Sequence, residues 1–357
     1  MANYNIMSNQ ESISKFWFLV IPLSFLVFVL GFFFILGPSS NAVSLTNSNN
    51  NYLGPSNFAY GQQQQEEENQ ENQIDSNITT NSLNVQNIPT KKVHVGDIDI
   101  AYKTFGKGDP IILINGYSVA MDTWHPTLLE KLAANHTVII FNNRGMGNTT
   151  SGDEQKFSLG LFANDTAGLL EALKISKADV LGWSMGGAIA QELALNHPDK
   201  VGKLVIHASF CGPLNATEAG KAEFNAMTNE TGTAQDRIAR LHQTFFPEEW
   251  RKENPNYLES IPKTTEIISN QTLSQHKEAI ANWTGTCDKL ANITHPTLVI
   301  VGTKDTGTTP AISLKITEQI PGAWLVQMKG GGHGVMYQYP EQFSNIVQAF
   351  LQNTNTR

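Results

Sequence analysis

Residues 178–198 read ADVLGWSMGGAIAQELALNHP, and this stretch decides the fold. An apolar, strand-like run leads into a helical one, and the turn between them holds Ser184. The glycines at positions 182 and 186, two before and two after the serine, let the chain reverse without a Cβ clash. A serine placed there protrudes at a sheet edge, beside a helix N-terminus that favours developing negative charge. We predict that Ser184 is a nucleophile rather than an incidental serine in a glycine-rich turn.

The same alternation of strand-like and helical patterns recurs on both sides of this stretch. Continuous apolar runs typical of buried parallel strands are PIILING (110–116), HTVIIFNNRG (136–145), VGKLVIHAS (201–209), HPTLVIVGTKD (295–305) and AWLVQMKGGGH (323–333). Helical patterns lie between them, the clearest after Pro340, and residues 93–106 alternate around a Gly-Asp turn as a hairpin does. Alternating strands and helices predict an α/β fold over residues 91–355, with a doubly wound, mostly parallel sheet.

One segment interrupts the alternation. Residues 212–290 contain no convincing strand, several weak helical patterns and the aromatic group Phe245, Phe246 and Trp250. An insert between two strands of such a sheet belongs at the carboxyl edge, where open α/β sheets bind ligands. We therefore predict a small helical cap over the site.

A serine is a weak nucleophile without a base, and the base needs an orienting group. His333 follows the last predicted strand within GGGHG, where glycines let the loop bring the imidazole over the sheet edge. Asp305 directly follows another strand, although an aspartate there is also a common turn-former or helix cap. Asp288 is the nearest rival and lies on the wrong side of that strand. Because Ser184, Asp305 and His333 occur in the α/β-hydrolase order, we predict them as the catalytic residues.

The oxyanion that forms when a serine attacks a carbonyl needs two fixed N–H donors. We expect them to be the backbone N–H groups of Met185, directly after the nucleophile, and of Tyr117, in the loop after PIILING. Trp183 and Tyr117 are expected to shape an apolar substrate pocket, although aromatic residues at these places equally suit the core. No His-x-His or His-Glu-x-x-His pair occurs, so the sequence predicts no metal site.

Residues 91–352 resemble the α/β-hydrolase superfamily, in the branch of small capped serine hydrolases that includes esterases, enol-lactonases, carbon–carbon bond hydrolases and cofactor-free haloperoxidases. The motifs that carry the resemblance are GWSMGG (182–187), NNRGMG (142–147), HPTLVIVGTKD and GGGHG. The resemblance implies a two-step mechanism without a cofactor, in which Ser184 attacks an ester, thioester or lactone carbonyl and water hydrolyses the acyl-enzyme. These motifs are specific for the superfamily and weak for the substrate.

Two positions depart from the family pattern. The oxyanion loop usually begins His-Gly and here begins Asn-Gly at Asn115, which leaves the geometry of the loop open. The segment before Arg144 usually carries an aspartate and here reads Asn142-Asn143. Ser184 speaks against epoxide hydrolases and haloalkane dehalogenases, which resemble this branch but use an aspartate at that position.

Alternatives to an ester hydrolase stay open. A non-catalytic receptor or binding module on the same fold is the rival from another class, since fold does not imply function. A binding module has no need of an intact serine, acid and histidine together, which argues against it. Among enzymes, perhydrolase or haloperoxidase, carbon–carbon bond hydrolase and aminopeptidase activities are the alternatives, and the sequence leaves the small-molecule substrate and the oligomeric state open.

Composition excludes two further classes. The 357 residues include 24 basic and 32 acidic ones, a formal charge of -8, and residues 66–75 alone hold five of the acidic residues and no basic one. The remainder is close to neutral, whereas a nucleic-acid binder needs a concentrated basic footprint. Two cysteines cannot form a disulfide-stapled scaffold or a four-thiolate zinc site.

The N-terminal region differs from the rest of the chain. Residues 16–37 are 22 consecutive uncharged residues, which at about 1.5 Å per residue span a bilayer core of roughly 30 Å. Lys15 precedes them and the next basic residue is Lys91, so residues 1–15 are predicted in the cytoplasm and the hydrolase-like domain outside. The length favours a retained membrane anchor, although a small-x-small site after it keeps cleavage and secretion open. Residues 38–90 are rich in Asn, Gln and Glu, which predicts a disordered linker.

The two cysteines flank the predicted cap. Cys211 lies where the chain enters the cap and Cys287 where it leaves. Both ends of an insertion return to the same sheet edge, so a disulfide between them is one alternative, and it would persist outside the cytoplasm. Two separate buried thiols are the other alternative and the one that we expect.

Overall fold

The computed structural model describes residues 83–214, 218–229 and 231–353. The predicted cytoplasmic segment at 1–15 and the predicted anchor at 16–37 lie outside these ranges, as does most of the predicted linker. Within the described ranges, no helix is both long enough and apolar enough to cross a bilayer.

A mixed sheet forms the centre of the described domain. Its strands are β1 (Lys91–Val95), β2 (Ile98–Gly106), β3 (Asp109–Ile114), β4 (His136–Phe141), β5 (Ala178–Trp183), β6 (Val201–His207), β7 (Thr297–Gly302) and β8 (Trp324–Met328). They lie in the order β1-β2-β4-β3-β5-β6-β7-β8. The β1–β2 and β2–β4 pairs are antiparallel and the other neighbouring pairs are parallel. The predicted mostly parallel sheet is therefore confirmed, and the hairpin predicted at 93–106 is the β1–β2 pair, which turns at Gly96 with a φ of 59°.

Eleven helices lie in the described ranges, and those outside the cap cover both faces of this sheet. The eleven are α1 (Pro126–Ala133), α2 (Leu159–Ala172), α3 (Met185–Asn196), α4 (Glu218–Met227), α5 (Ala234–Phe245), α6 (Glu248–Glu253), α7 (Tyr257–Ser260), α8 (Asn270–Ala281), α9 (Pro310–Gln319), α10 (Val335–Gln338) and α11 (Pro340–Gln352). Along β3, Ile112 packs in a cluster with α2, α3 and α9, whereas Leu113 packs in a second cluster with α1 and α11. Successive side chains of a strand point to opposite faces, so these clusters are the two layers of a doubly wound fold, as predicted. Each buried aliphatic side chain stabilises it by roughly 1.5–3 kcal/mol.

The C-terminal helix follows the predicted pattern. It begins at Pro340 and buries Phe343 and Phe350 on one face. The last carbonyls of a helix have no donor within the helix. Lys203 supplies one from the neighbouring strand β6, since its Nζ donates to the Leu351 carbonyl at 2.5 Å. This contact fixes the end of α11 against the sheet.

The predicted cap lies between β6 and β7. The described part of residues 212–290 contains α4 to α8 and no strand. A disulfide joins Cys211 to Cys287, so the expectation of two separate thiols is wrong. The N–H groups of Thr286 and Cys287 donate to the Cys211 carbonyl at 2.7 and 2.9 Å, which holds the two ends of the cap together. The sequence places both ends at one sheet edge, but it does not show this close backbone pairing.

The C-terminal boundary of the linker predicted at 38–90 is placed too late in the chain, because its last residues pack on the domain. Val85 is buried in a short 3₁₀ turn, and the Lys103 ammonium, also buried, donates to the carbonyls of Val85 and Ile88 at 2.8 Å each. Burial lowers the pKa of Lys103, although the charge of Asp122 opposes this effect. A buried charge needs polar partners in place of water, and these two carbonyls supply them. Residues 83–90 therefore belong to the folded domain.

Candidate active site

Ser184 lies in the tight turn between β5 and α3, in the strand–turn–helix context that the sequence predicts. Its backbone angles are φ 57° and ψ -119°, which a residue with a Cβ rarely adopts. The flanking glycines make the turn possible. A Cβ on Gly182 would overlap the carbonyl oxygen of Gly186, and a Cβ on Gly186 would overlap that of Ile114. The glycine spacing is therefore a requirement of the turn that presents the serine.

Hydrogen bonds from β6 and its following loop hold this turn. The Ser184 N–H donates to the carbonyl of His207 at 2.9 Å. The Ser209 hydroxyl donates to the carbonyl of Ser184 at 2.7 Å. Only 6% of the surface of Ser184 is exposed, so the turn presents the serine in a covered position.

The predicted oxyanion loop lies against the serine. A Cβ on Gly116 would stand 3.1 Å from the Ser184 Cβ and 3.7 Å from its Oγ, so the backbone leading to Tyr117 passes directly beside the nucleophile. Met185 is the first residue of α3, and the first N–H groups of a helix have no acceptor within it. The two predicted N–H donors thus belong to the two segments that border Ser184.

Asp305 and His333 form a buried pair at the same sheet edge. Asp305 follows β7, His333 follows β8, and His333 Nδ1 lies 3.0 Å from Asp305 Oδ2. Asp305 Oδ1 also accepts from the backbone N–H groups of Gly307 at 3.1 Å and Thr308 at 3.0 Å, which fixes the carboxylate. Because Nδ1 faces a carboxylate, Nδ1 carries the imidazole proton and Nε2 is the basic nitrogen.

The surroundings of His333 favour its protonated form. Burial by itself lowers the pKa of His333, but the charge of Asp305, the hydrogen bond to it and the charge of Glu223 outweigh burial and raise the pKa. His207 behaves in the opposite way, because burial and the charge of His333 lower its pKa to about 3. A raised pKa suits a base that becomes an imidazolium during the reaction.

Thr308 belongs to the site and was not predicted from the sequence. Its hydroxyl donates to Asp305 Oδ2 at 2.7 Å and lies 3.1 Å from His333 Nδ1. Its backbone N–H bonds to the same carboxylate, so residues 305–308 form a turn closed by an aspartate side chain. The pattern Asp-x-x-Thr after a strand is the signal that identifies such a residue.

A cavity of about 190 Å³ lies beside the serine turn and under the cap. Tyr117 and Trp183, the two predicted pocket residues, both line it. The cap contributes the apolar side chains Ile238, Leu241, Phe245, Phe246 and Ile261. Trp183 Nε1 also donates to the carbonyl of His333 at 3.2 Å. Trp183 therefore supports the histidine loop as well as forming a pocket wall.

The cap also brings a carboxyl group to the site. Glu223, on α4, has an oxygen within 4.8 Å of the ligating atoms of Asp305 and His333. Among the described residues, Glu223, Asp305 and His333 are the acidic and histidine side chains whose ligand atoms lie close enough together to hold a metal ion. His333 and Asp305 already share a hydrogen bond, which fits an acid–base pair better than a metal site.

The departure from the family pattern at 142–143 is explained by its contacts. Asn142 Oδ1 accepts from the Met121 N–H at 2.8 Å, and its Nδ2 donates to Glu266 Oε2, in the cap, at 2.5 Å. An aspartate here would have no proton for Glu266 and would repel its charge. Asn143 Nδ2 donates to the carbonyl of Asn115 at 3.2 Å, so it supports the backbone that enters the oxyanion loop.

Comparison with known proteins agrees with this geometry. A family model described as alpha/beta hydrolase fold matches residues 109–340. The chain is 29% identical over 261 residues to "Putative carbamate hydrolase RutD" of Azorhizobium caulinodans, covering 72% of this chain and 96% of that one. It is 29% identical over 264 residues to "Putative non-heme bromoperoxidase BpoC" of Mycobacterium tuberculosis, covering 71% and 98%. The structure of an alpha/beta hydrolase fold protein from Chitinophaga pinensis is similar, with a TM-score of 0.66, 26% identity and coverage of 75% and 98%.

Proposed function

The chain belongs to the α/β-hydrolase family and is a hydrolase, and from this premise we propose that it cleaves carboxylic esters, thioesters or lactones through a Ser184–His333–Asp305 triad. The observation that carries the proposal is the buried Asp305–His333 pair, 3.0 Å apart, at the sheet edge where a strained turn presents a serine. A binding module on this fold would have no need of a nucleophile, an oriented base and an acid together.

The geometry supports a two-step reaction. Ser184 Oγ attacks the carbonyl carbon of the substrate while His333 Nε2 accepts the hydroxyl proton. The backbone N–H groups of Tyr117 and Met185 stabilise the oxyanion that forms. His333 then gives its proton to the leaving alcohol or thiol, and an acyl-enzyme remains. Water, deprotonated by His333, then attacks the acyl carbon, the bond to Ser184 Oγ breaks, and His333 returns the proton to Oγ as the acid leaves. Asp305 stabilises the imidazolium in both steps.

The cavity supports a small apolar acyl group as the substrate part that enters it. Its volume of about 190 Å³ is close to the roughly 150 Å³ of an apolar protein cavity that holds one benzene molecule. Trp183 and Phe245 meet edge to face in its wall, with ring centroids 5.4 Å apart. The names of the two curated relatives refer to different reactions, a carbamate hydrolysis and a bromoperoxidation. They therefore do not indicate one substrate for this chain. The cavity favours a short acyl chain or a single aromatic ring.

Hydrolysis of p-nitrophenyl esters from acetate to decanoate by the purified protein tests the proposal. We expect turnover that is highest for short chains and that falls by at least about 10⁴-fold in Ser184→Ala, since the nucleophile is lost. Ser260→Ala is the matched control, because Ser260 is an exposed serine of the cap, and it should keep wild-type turnover. A wild-type protein that cleaves no ester, thioester or lactone would refute the proposal and favour the binding module.

We further propose that the hydrolase domain lies outside the cytoplasm on a retained N-terminal anchor. The 22 uncharged residues at 16–37 support an anchor, and the Cys211–Cys287 disulfide is of a kind that persists in oxidising compartments. In cells that express the full chain, the protein should sediment with membranes, and protease added outside the cytoplasmic membrane should degrade the domain. Recovery in the cytosol with two reduced cysteines would contradict this.

A further inference from the structure

Glu223 is a buried carboxyl group that the proposed mechanism does not use. It lies on α4, is 7% exposed, and accepts a hydrogen bond from Thr306 Oγ1 at 2.7 Å through Oε2. Its other oxygen, Oε1, is buried and has no hydrogen-bond partner in the part of the chain that the structure describes. A buried carboxyl that is only partly hydrogen-bonded is costly, so its position needs a compensating role.

The loop after Asp305 is shaped to receive this carboxyl. Thr306 supplies the hydroxyl donor. Gly307 supplies the space, because a Cβ at that position would overlap the carboxyl atoms of Glu223. A Glu223 oxygen lies within 4.8 Å of a carboxylate oxygen of Asp305 and of a ring nitrogen of His333. Thr306 and Gly307, which directly follow Asp305, therefore hold the carboxyl group of Glu223 close to the imidazole of His333.

The charges in this group act on one another. Burial raises the pKa of Glu223 to about 7; the charge of His333 opposes this rise and the charge of Asp305 adds to it. In return, the charge of Glu223 acts with that of Asp305 to raise the pKa of His333 against the effect of burial. Among the described residues, the titratable groups that act on Glu223 are Asp305 and His333. His207, which interacts with His333, stays neutral because its pKa is lowered to about 3. The ionisation of Glu223 and that of His333 therefore influence each other.

We propose that Glu223 is a positioning residue: its negative charge, carried by the cap, stabilises the imidazolium form of His333 and so increases the strength of the base. This role rests on the proposed function. An imidazolium forms in each step of the hydrolysis. A carboxylate that stabilises it makes His333 a stronger base and raises the pH below which the enzyme loses activity. The cap thus contributes to proton transfer as well as to the shape of the pocket.

The test compares wild type and Glu223→Gln in the pH dependence of kcat/KM for p-nitrophenyl acetate, between about pH 5 and pH 8. We expect the acidic limb of the Glu223→Gln profile to move to lower pH, because removing a negative charge lowers the pKa of His333. The plateau kcat should fall by at most about tenfold for each pH unit of that movement. Glu218→Gln is the matched control, since Glu218 is an exposed carboxylate on the same helix, and its profile should coincide with wild type.

A second variant keeps the test decisive if Glu223→Gln does not fold. Thr306 is exposed, and its hydroxyl favours the ionised form of Glu223. Thr306→Val removes that hydroxyl and keeps the shape of the side chain. Its acidic limb should move in the same direction as that of Glu223→Gln, by a smaller amount.

The outcomes separate this inference from the proposed function. If the wild type hydrolyses esters and the acidic limbs of Glu223→Gln and Thr306→Val coincide with its own, the role of Glu223 is refuted while the triad stands. If the wild type hydrolyses no ester, NMR titration of the His333 imidazole protons tests the coupling without a substrate. A lower pKa of His333 in Glu223→Gln than in wild type supports the coupling, and equal pKa values refute it.

Discussion

The sheet and the cap hold their parts of the candidate site in different ways. Ser184, Asp305 and His333 each follow a strand of the parallel sheet, where ladder hydrogen bonds fix the backbone. Glu223 and Phe245 reach the site from cap helices, and their places depend on side-chain contacts such as Thr306 with Glu223. The comparison teaches that the sheet positions the three residues of the proposed triad, whereas the cap places a carboxyl group and apolar side chains around them. Changes in the sheet should therefore abolish turnover, and changes in the cap should shift it.

The two carboxylates beside His333 give the largest expected contrast. Asp305→Asn should lower kcat by about 10⁴-fold, because an amide in this position favours the wrong tautomer of the imidazole. Glu223→Gln should lower kcat by roughly tenfold or less, because it removes a charge without releasing the ring. Steady-state kinetics on p-nitrophenyl acetate, with kcat taken on the plateau of each pH profile, measures both losses. Equal losses of kcat in Asp305→Asn and Glu223→Gln would contradict the different roles assigned to the sheet and the cap.

The disulfide at the base of the cap gives the next largest effect. The double variant Cys211→Ala/Cys287→Ala should lose about 4 kcal/mol of unfolding free energy, since the bond closes a loop across a sequence separation of 76 residues in the unfolded chain. Turnover of the folded variant should persist, because neither sulfur lies in the triad. Urea unfolding measures the loss, with reduced wild type as the control. Unchanged stability in both proteins would contradict this part of the comparison.

The cap carboxyl should also make stability depend on pH. Burial raises the pKa of Glu223 from 4.5 to about 7, a rise of about 2.5 that corresponds to about 3 kcal/mol. The folded protein binds this proton more tightly than the unfolded chain does, so stability is lost as the pH rises from about 4.5 to about 7.

Glu223→Gln removes this dependence. Below about pH 4.5, the free energy of unfolding of Glu223→Gln should match that of wild type. Above about pH 7, it should exceed that of wild type by up to about 3 kcal/mol. Denaturant unfolding of both proteins at a series of pH values checks the difference. A difference that stays constant with pH would show that Glu223 ionises in the folded protein as it does in the unfolded chain.

The smallest expected effect lies where the cap meets the loop after β4. Asn142→Asp should destabilise the protein by about 1–2 kcal/mol at neutral pH, because the amide proton donated to Glu266 is lost. Burial and the charge of Asp122 already raise the pKa of Glu266, and a new carboxylate would raise it further. Asn142→Asp combined with Glu266→Gln should recover most of the loss in urea unfolding. Additive losses would show that the two side chains do not interact.

The sheet part of the site could be predicted from the sequence because local patterns determine it. The residues Ser184, Asp305 and His333 directly follow apolar, strand-like runs, and the ends of parallel strands meet at one edge of a sheet. The glycines around Ser184 are required by the turn itself. Thr308 could have been added, since Asp-x-x-Thr after a strand predicts a turn in which the aspartate accepts from the threonine.

The cap part could not be predicted, because its contacts join residues far apart in the chain. A glutamate on a helix is usually exposed, and nothing near Glu223 in the sequence indicates that Thr306 and Gly307 receive it. The Cys211–Cys287 bond depends on backbone pairing at the base of the cap. The folded state of residues 83–90 depends in the same way on a lysine of β2, whose ammonium needs their carbonyls.

Activation of Ser184 by His333 is tested most directly by labelling with a fluorophosphonate, followed by peptide mass spectrometry. We predict one adduct, on the peptide that contains Ser184, because only an activated serine reacts with this probe. The adduct should be absent in Ser184→Ala and should form far more slowly in His333→Ala. A wild-type protein that takes no label, or that takes it equally on an exposed serine such as Ser260, would contradict the triad.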